Sequence, residues 1–377
     1  MISFDNTEKA FITKANPELK RSLWLFNIMG NPTLVKLLSK LTLFAINIGL
    51  PIKAHIKATI FKQFCGGETL EESEDVVNKL DKSHIGSILD YSVEGKDTEE
   101  DFTRTKNEVL KIIGLAKVNR AIPYTSLKLT GIAPSRLLEK IGKKITLSKT
   151  EDEEMASVRK KLIEISDCAY QSNVPIYFDA EESWLQDAID SLSEEMMQRS
   201  NKKSAIILTT LQMYRWDRLD YLDKLLQTAR STNIFIGIKL VRGAYMEKEN
   251  QRATEHGYKS PIQTSKENTD RDFDKAIDIR LENIDIVTLC AGTHNEASSM
   301  HLVNKMQELK IPNDHPHVYF SQLYGMSDHI TFNLADAGYN VTKYLPYGPV
   351  KAVVPYLIRR AAENTAIAGQ MSRELKL

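Results

Sequence analysis

Cysteine is scarce in this chain, with Cys65, Cys168 and Cys290 as its whole complement. They stand far apart and form no C-x-x-C pair, which disfavours a disulfide framework and a zinc site and fits a reducing cytoplasm. No metal is expected. Net charge is missing too, because Lys+Arg and Asp+Glu both number 50. A balanced chain lacks the electrostatic footprint of a nucleic-acid binder, and 42% hydrophobic residues is too many for disorder, so the expected partner is a small molecule. A long apolar run is also absent. The most apolar stretch, LTLFAINIGLPI from Leu41 to Ile52, falls well short of the about 20 residues a spanning helix needs. It is expected to pack on the protein or to touch a membrane surface. The N-terminal MISFDNTEKAFITKANPELKR has no basic region followed by an apolar core, which argues against a secretory leader. There is no internal repeat and no low-complexity tract.

What is present is alternation. With 377 residues the chain suits one large α/β unit or two smaller ones. Helical periodicity runs from about Lys20 to Phe64, and the turn-forming CGGE begins at Cys65. Beyond it, β-type runs alternate with amphipathic helical stretches: Leu89 to Glu94, Tyr124 to Ile132, Val174 to Glu181, Ser204 to Gln212, Phe235 to Gly243, Ile284 to His294, His317 to Gly325 and Val341 to Gly348. Eight such runs favour a (β/α)8 barrel over an open doubly wound sheet, and no G-x-G-x-x-G follows an early run as a dinucleotide-binding unit requires. The expected organisation is a helical N-terminal segment over residues 1–80 and a barrel over residues 81–377. The acidic EDEE at Glu151 to Glu154 reads as a solvated helix start that complements the helix dipole.

Barrel chemistry sits where strands end, so the polar residues there form one constellation to test. It contains Lys128, Asp179, Gln212, Tyr214, Lys239, Arg242, Tyr245, Thr293, His294, Gln322 and Tyr344. Each has an ordinary structural role open to it: a snorkelling strand lysine, an N-capping aspartate, a satisfied core histidine, a salt-bridged arginine face. Their joint occurrence is what points to a site. In the last helical stretch, Tyr356, Arg359, Arg360 and Glu363 fall at i, i+3, i+4 and i+7, one polar stripe on a helix whose other faces carry Val353, Val354, Leu357, Ile358, Ala361 and Ala362. Two guanidinium groups surrounded by protein want an anion, and a carboxylate accepts the bidentate hydrogen bonds they offer. Arg359 and Arg360 are therefore candidates to hold the carboxylate of a small acid, with Glu363 orienting the pair.

These residues resemble those of the proline dehydrogenase family, flavoenzymes that oxidise L-proline to Δ1-pyrroline-5-carboxylate. The resemblance rests on YLPYG followed by PYLIRRAAEN, and on KLVRGAYMEKE, YFDAEES, Q-x-Y at Gln212 to Tyr214, GTHNEAS and QLYGM, in the family's order from roughly Leu89 to Gln370. It also includes PIQTSKENTDRDF, similar to the family's polar segment after the fifth strand. It implies a distorted (β/α)8 barrel whose eighth helix lies over the strand ends, FAD as cofactor, and a quinone as electron acceptor. It also implies a proline pocket of Lys128, Asp179, Tyr245, Leu323, Tyr344, Arg359, Arg360 and Glu363, in which Asp179 and Lys128 form an ion pair at the floor. Flavin contacts are implied for Ala180, Gln212, Lys239, Arg242, Gly243, Ala244, Thr293 and His294, with Gln212 near the reactive N5 edge. At Lys239 the chain departs from the RLVKGAY of bifunctional bacterial members, placing a point charge where they carry a planar fork.

Members that favour hydroxyproline carry a smaller residue at the position of Tyr344, so a preference for proline is expected. The chain ends at Leu377, without room for an aldehyde dehydrogenase or a DNA-binding domain, and a monofunctional enzyme is expected. Its expected location is the cytoplasm, with peripheral contact at the inner face of the membrane compatible with the Leu41 to Ile52 run. Two other readings of the residues stay open. Lys128 and Lys239 could each serve a Schiff-base aldolase or lyase, and a barrel that only binds a carboxylate or a protein could carry the same polar ends.

Overall fold

The computed structural model describes residues 2–12, 14–93 and 97–371, and their side chains except those of residues 7, 47 and 362–371. Eight parallel strands close into a barrel in chain order: β1 (Ile85–Tyr91), β2 (Tyr124–Lys128), β3 (Ile176–Asp179), β4 (Ile207–Gln212), β5 (Ile236–Val241), β6 (Val287–Gly292), β7 (Val318–Leu323) and β8 (Val341–Tyr347). Each is followed by a helix, as parallel pairing demands. The fold is the expected (β/α)8 barrel.

The chain forms two compact units. One comprises residues 1–95, 294–296 and 322–377. In it β1 pairs with β8 from Ile85 opposite Val341 to Tyr91 opposite Tyr347. The helices Asn16–Met29 and Pro32–Asn47 belong to this unit, and Leu25, Phe26, Met29 and Val35 pack with Phe61, Phe64, Val353, Tyr356 and Leu357 in one apolar cluster. The N-terminal helices are thus bound to the inner side of the last helix, Val350–Met371. A buried ion triad holds the same unit: Asp328 meets Lys14 at 2.7 Å and Lys343 at 2.8 Å. Burial alone would raise the Asp328 carboxyl, but the two ammonium groups outweigh it and hold it well below the usual range. Gly325, in QLYGM, has φ +78°, and a Cβ there would overlap the Gln63 carbonyl; Gln63 donates back to the Gly325 carbonyl at 2.9 Å. Only glycine fits that approach.

The other unit, residues 96–293 and 297–321, carries β2 to β6 and most of β7. Lys128 stands opposite Asp179, Thr210 opposite Lys239, and Lys239 opposite Cys290. Asn201, fully buried, ties the starts of two strands together. Its amide donates to the Ile207 and Phe235 carbonyls at 2.8 and 3.0 Å, and its oxygen accepts from the Ile206 and Ile207 N–H groups.

Strand positions differ from expectation at the first run. It begins four residues before Leu89 and ends at Tyr91. The chain turns at His84, which takes a left-handed φ of 56°, and the strand starts at the next residue, with Gly86 inside it. The other runs are trimmed mostly at their polar ends; the second stops at Lys128 and closes with a single 3₁₀ turn, Leu129–Gly131. Thr293 and His294 lie just beyond β6. The acidic run near Glu151 does open a helix, Lys149–Ser172, with a capping box between Ser148 and Glu151.

Replacing Asn201 leaves four backbone groups without this partner, three of them in buried bonds. We expect Asn201→Ala to lower the stability of unfolding by about 3 kcal/mol or more, since each unsatisfied buried group costs about 1–3 kcal/mol. Urea titration measures it; a loss under about 0.5 kcal/mol, the range of an ordinary surface change, contradicts this reading.

Candidate active site

Every candidate residue before the last helix lies at or just past the C-terminal end of its strand, apart from Lys239 and Tyr344, which lie within β5 and β8. In the unit that holds β2 to β6, the centre is Asp179, the last residue of β3. It forms a buried ion pair with Lys239, and the Thr210 hydroxyl donates to it at 3.3 Å. The Lys239 ammonium also lies 4.9 Å from the centre of the Tyr177 ring, a face that attracts a cation. Asp179 was expected to pair with Lys128, its neighbour in register; the ion pair the structure shows is with Lys239. Tyr124, Tyr177, Tyr319 and Cys290 fill the strands beneath, with ring centres of 5.0 and 4.8 Å between Tyr124 and its two neighbours.

The loop after β3 is hydrogen-bonded at nearly every polar atom. The Glu181 N–H donates to Gln186 Oε1 at 3.0 Å and its carbonyl accepts from Gln212 Nε2 at 2.7 Å. Its carboxyl accepts from the Thr130 N–H at 3.0 Å and from the Thr130 hydroxyl. The helix Ser183–Ser200 receives no side-chain cap from Glu182. Glu249 supplies it from the first turn of the helix after β5, Met246–His256, accepting the Ser183 N–H and hydroxyl, both at 2.6 Å. Glu249 is fully buried, so the loops that carry Ala180 and Tyr245 are fastened to each other.

Gln212 is oriented from both ends. Its Nε2 faces a carbonyl, so the amide cannot flip without setting oxygen against oxygen. Its Oε1 accepts from the Tyr214 hydroxyl at 3.2 Å, and that hydroxyl in turn accepts from the backbone of Tyr245. The second Gln212 N–H has no partner among the described residues and is a donor for a ligand. The Tyr214 ring lies against Gly243, where φ is +131° and a Cβ would come within 2.5 Å of the ring. Arg242 is committed to protein: Nε to Asp270 at 2.7 Å, one terminal nitrogen to Thr293 at 2.6 Å, the other to Ser298 at 3.0 Å, with the Phe273 ring 4.6 Å away. These groups, an oriented amide, a buried ammonium and bare glycine backbone, suit the polar edge of a planar heterocycle. Among the described residues no three His, Cys, Asp or Glu side chains gather to hold a metal.

In the other unit, His294 Nδ1 lies 2.9 Å from Ser327 Oγ, and Glu296 meets His329 at 3.1 Å. Leu323 packs against the apolar cluster of the last helix. Arg360 is buried with its guanidinium 5.2 Å from the Tyr356 ring centre, and Arg359 is partly exposed. Glu363 falls among the residues whose side chains are outside those described. Tyr214, Glu249 and Thr130 were not singled out for these roles in the sequence; the Q-x-Y spacing was a signal for the first, and nothing local marked the other two.

A parallel (β/α)8 barrel with charged, cross-braced groups at its strand ends is an enzyme scaffold. A family model described as proline dehydrogenase matches residues 73–373. The chain belongs to the proline dehydrogenase family and is an oxidoreductase acting on a CH–NH bond. It is 32% identical over 314 residues to the carbapenem antibiotics biosynthesis protein CarD of Pectobacterium carotovorum subsp. carotovorum, spanning 83% of this chain and 81% of that one. It is 30% identical to mitochondrial proline dehydrogenase 1 of Dictyostelium discoideum over 97% of this chain and 72% of the relative. It is 31% identical to hydroxyproline dehydrogenase of Xenopus laevis over 97% and 87%. The fold is similar to that of proline utilization A (PutA) from Bdellovibrio bacteriovorus, with TM-score 0.74 at 21% identity over 84% of this chain. This chain spans 35% of the length of that solved chain.

Burial pushes the Glu181 carboxyl up to about 7; the Thr130 hydroxyl and N–H and the Lys128 charge oppose the rise, and Glu182 adds to it. A carboxyl raised in the folded state binds its proton more tightly there than in the unfolded chain. Its contribution to stability is therefore full below about pH 4.5 and is lost as pH rises toward 7. A shift of this size corresponds to about 3 kcal/mol. We expect Glu181→Gln, neutral at every pH, to match the wild type near pH 4.5 and to exceed its stability near pH 8 by that order. Parallel denaturation curves for the two proteins across this range would show no separation if Glu181 ionises freely.

Proposed function

We propose that this protein is an FAD-dependent proline dehydrogenase that oxidises L-proline to Δ1-pyrroline-5-carboxylate and passes the electrons to a quinone. The observation that carries this reading is the family match across residues 73–373, within which all the motif residues fall. Bound FAD supplies the hydride acceptor. The protein's own residues bind and orient. Arg359 and Arg360 take the substrate carboxylate through charge-assisted bonds, with Glu363 balancing their charge. Lys128, Asp179, Tyr245, Leu323 and Tyr344 complete the substrate pocket. Gln212, Lys239, Arg242, Thr293 and His294 hold the cofactor together with the backbone of Ala180, Gly243 and Ala244. Proline reacts as the free amine, whose lone pair forms the C=N bond as the hydride leaves the ring carbon, so little proton transfer is asked of side chains and positioning dominates.

Residues 81–377 carry this chemistry on the barrel, and residues 1–80 form the helical segment that precedes it. The proposed setting is the cytoplasm with peripheral membrane contact, where a quinone is reached. Tyr344 supports proline over hydroxyproline, because a tyrosine crowds a ring hydroxyl and leaves it poorly solvated. Similarity to relatives named for each substrate makes this the position to test.

Purified protein is expected to release FAD on denaturation and to oxidise proline with an artificial acceptor. Arg359→Met and Arg360→Met are each expected to retain flavin and to weaken proline binding by about 2–5 kcal/mol, the cost of leaving a buried charged partner unpaired. Wild-type KM in both variants would make the arginines a structural face. In the same assay kcat/KM is expected to favour proline over trans-4-hydroxy-L-proline, and Tyr344→Ser to narrow the ratio; an unchanged ratio removes Tyr344 from the specificity.

Tyr214 offers a separate check on the amide. Tyr214→Phe keeps the ring against Gly243 but deletes the hydroxyl that holds Gln212. A fall in kcat of about tenfold, matching the loss of about 1.4 kcal/mol, with KM and flavin content unchanged, is expected. An unaltered kcat shows that the Glu181 carbonyl alone orients Gln212.

A further inference from the structure

The helix Pro32–Asn47 buries Val35 and leaves most of its other apolar side chains at the surface. Leu37 is 54% exposed, Leu41 53% and Phe44 61%, and Ile48 continues the line at 55%. Their spacing of four, three and four residues puts them on one stripe. Trp24 on the neighbouring helix Asn16–Met29 is 53% exposed, beside an exposed Leu23. A helix this apolar is ordinarily buried all round. An exposed apolar stripe of this length marks a contact surface.

Charge says with what. Between Glu18 and Glu68 the chain has no acidic residue, while Lys20, Arg21, Lys36, Lys40, Lys53, Lys57 and Lys62 all fall there. The chain as a whole carries zero net charge, so this positive stretch is local. Lys53 and Lys57 are spent on Glu68, at 2.9 Å each. Lys20, Lys36, Lys40 and Lys62 are exposed and form no ion pair among the described residues. Lys36 and Lys40 precede Leu37 and Leu41 by one residue each, so a basic row flanks the apolar stripe. A second copy of this chain would bring the same lysines against each other. An anionic lipid surface meets both features at once.

The helix is about 24 Å long at 1.5 Å per residue, shorter than a hydrocarbon core of about 30 Å, and no described helix is long and apolar enough to cross a membrane. It suits a position in the plane of the interface. There Trp24 meets the preference of an amphipathic ring for the headgroup layer.

We propose that the outer face of the helices Asn16–Met29 and Pro32–Asn47, centred on Trp24, Leu37, Leu41 and Phe44 and flanked by Lys36 and Lys40, docks the protein onto an anionic lipid bilayer. The assignment deepens the reading of a quinone-coupled enzyme with peripheral membrane contact. Lipid binding is measured without turnover, so its failure and a failure of the proline chemistry are separable.

The experiment is flotation of the full chain with vesicles of phosphatidylcholine alone and of phosphatidylcholine mixed with phosphatidylglycerol. The protein is expected to float with the mixed vesicles and to be released by salt, as screening requires. Lys36→Gln and Lys40→Gln are each expected to weaken binding about fivefold. Leu41→Ser with Phe44→Ser is expected to abolish it while leaving proline turnover with a water-soluble acceptor unchanged. No flotation by the wild type overturns the proposal, as does flotation that survives both sets of variants. Sedimentation as a dimer that Phe44→Ser dissociates, without vesicle binding, assigns the face to a second copy instead.

Discussion

The pairing of Asp179 with Lys239 inside the strands is the constraint around which the unit that carries β2 to β6 is organised. Two charges taken out of water cost several kcal/mol each, and their attraction repays this only when other polar contacts complete the geometry. Here the Thr210 hydroxyl reaches the carboxylate and the Tyr177 ring faces the ammonium. Each partner is fixed by a strand, and each strand is followed by a loop that bears candidate site residues. A lysine suits this place: its compact charge on a flexible stem fits between a carboxylate and a ring face, where a planar fork would demand a wider slot. The departure at Lys239 from the bifunctional pattern is thus a local solution with its own partners.

From that pair outward, rigidity is passed on through the backbone. Glu181 binds the β2 loop through its carboxyl, Gln186 through its N–H and Gln212 through its carbonyl. Glu249 closes the circuit from the helix after β5 to Ser183. Such cross-bracing is what an enzyme relying on positioning needs, because small displacements of a reacting atom cost large factors in rate. It also accounts for a carboxyl held partly protonated near neutrality, since Glu181 is buried for its role as a brace.

Much of this was legible in the sequence because strand ends and helix stripes are local patterns. Eight runs at barrel spacing located all eight strands, and seven of them to within a few residues. Most of the polar residues expected at strand ends lie there, whereas Lys239 and Tyr344 lie within β5 and β8. Period alone placed Arg359 and Arg360 on one face of a helix whose described side chains, as far as Ala361, are mostly buried. What stayed hidden has a common physical origin. Glu249 and Ser183 are 66 residues apart, Thr130 and Glu181 51 apart, Gln63 and Gly325 262 apart. No window of sequence contains both partners. Glu249 sits in the charged run MEKEN, which reads as a solvated face, and only the fold turns it into a buried cap. The first strand starts four residues before the expected run, directly after the left-handed turn at His84, and its register is set by pairing with β8, Gly86 opposite Thr342.

The two N-terminal helices are used on both sides. Their inner residues Leu25, Phe26, Met29 and Val35 share an apolar cluster with Val353, Tyr356, Leu357 and Ala361 of the helix that carries the arginine pair. Their outer residues form the basic and apolar face. The outer face contributes little to folding, because its side chains remain in water; the inner face holds the segment in place. A stripe of large apolar groups kept in contact with water is retained only if something outside the fold meets it. Because the contacts that order the outer face are the ones that pack the arginine helix, whatever binds the outside acts on the same helices against which Tyr356 and Leu357 are buried.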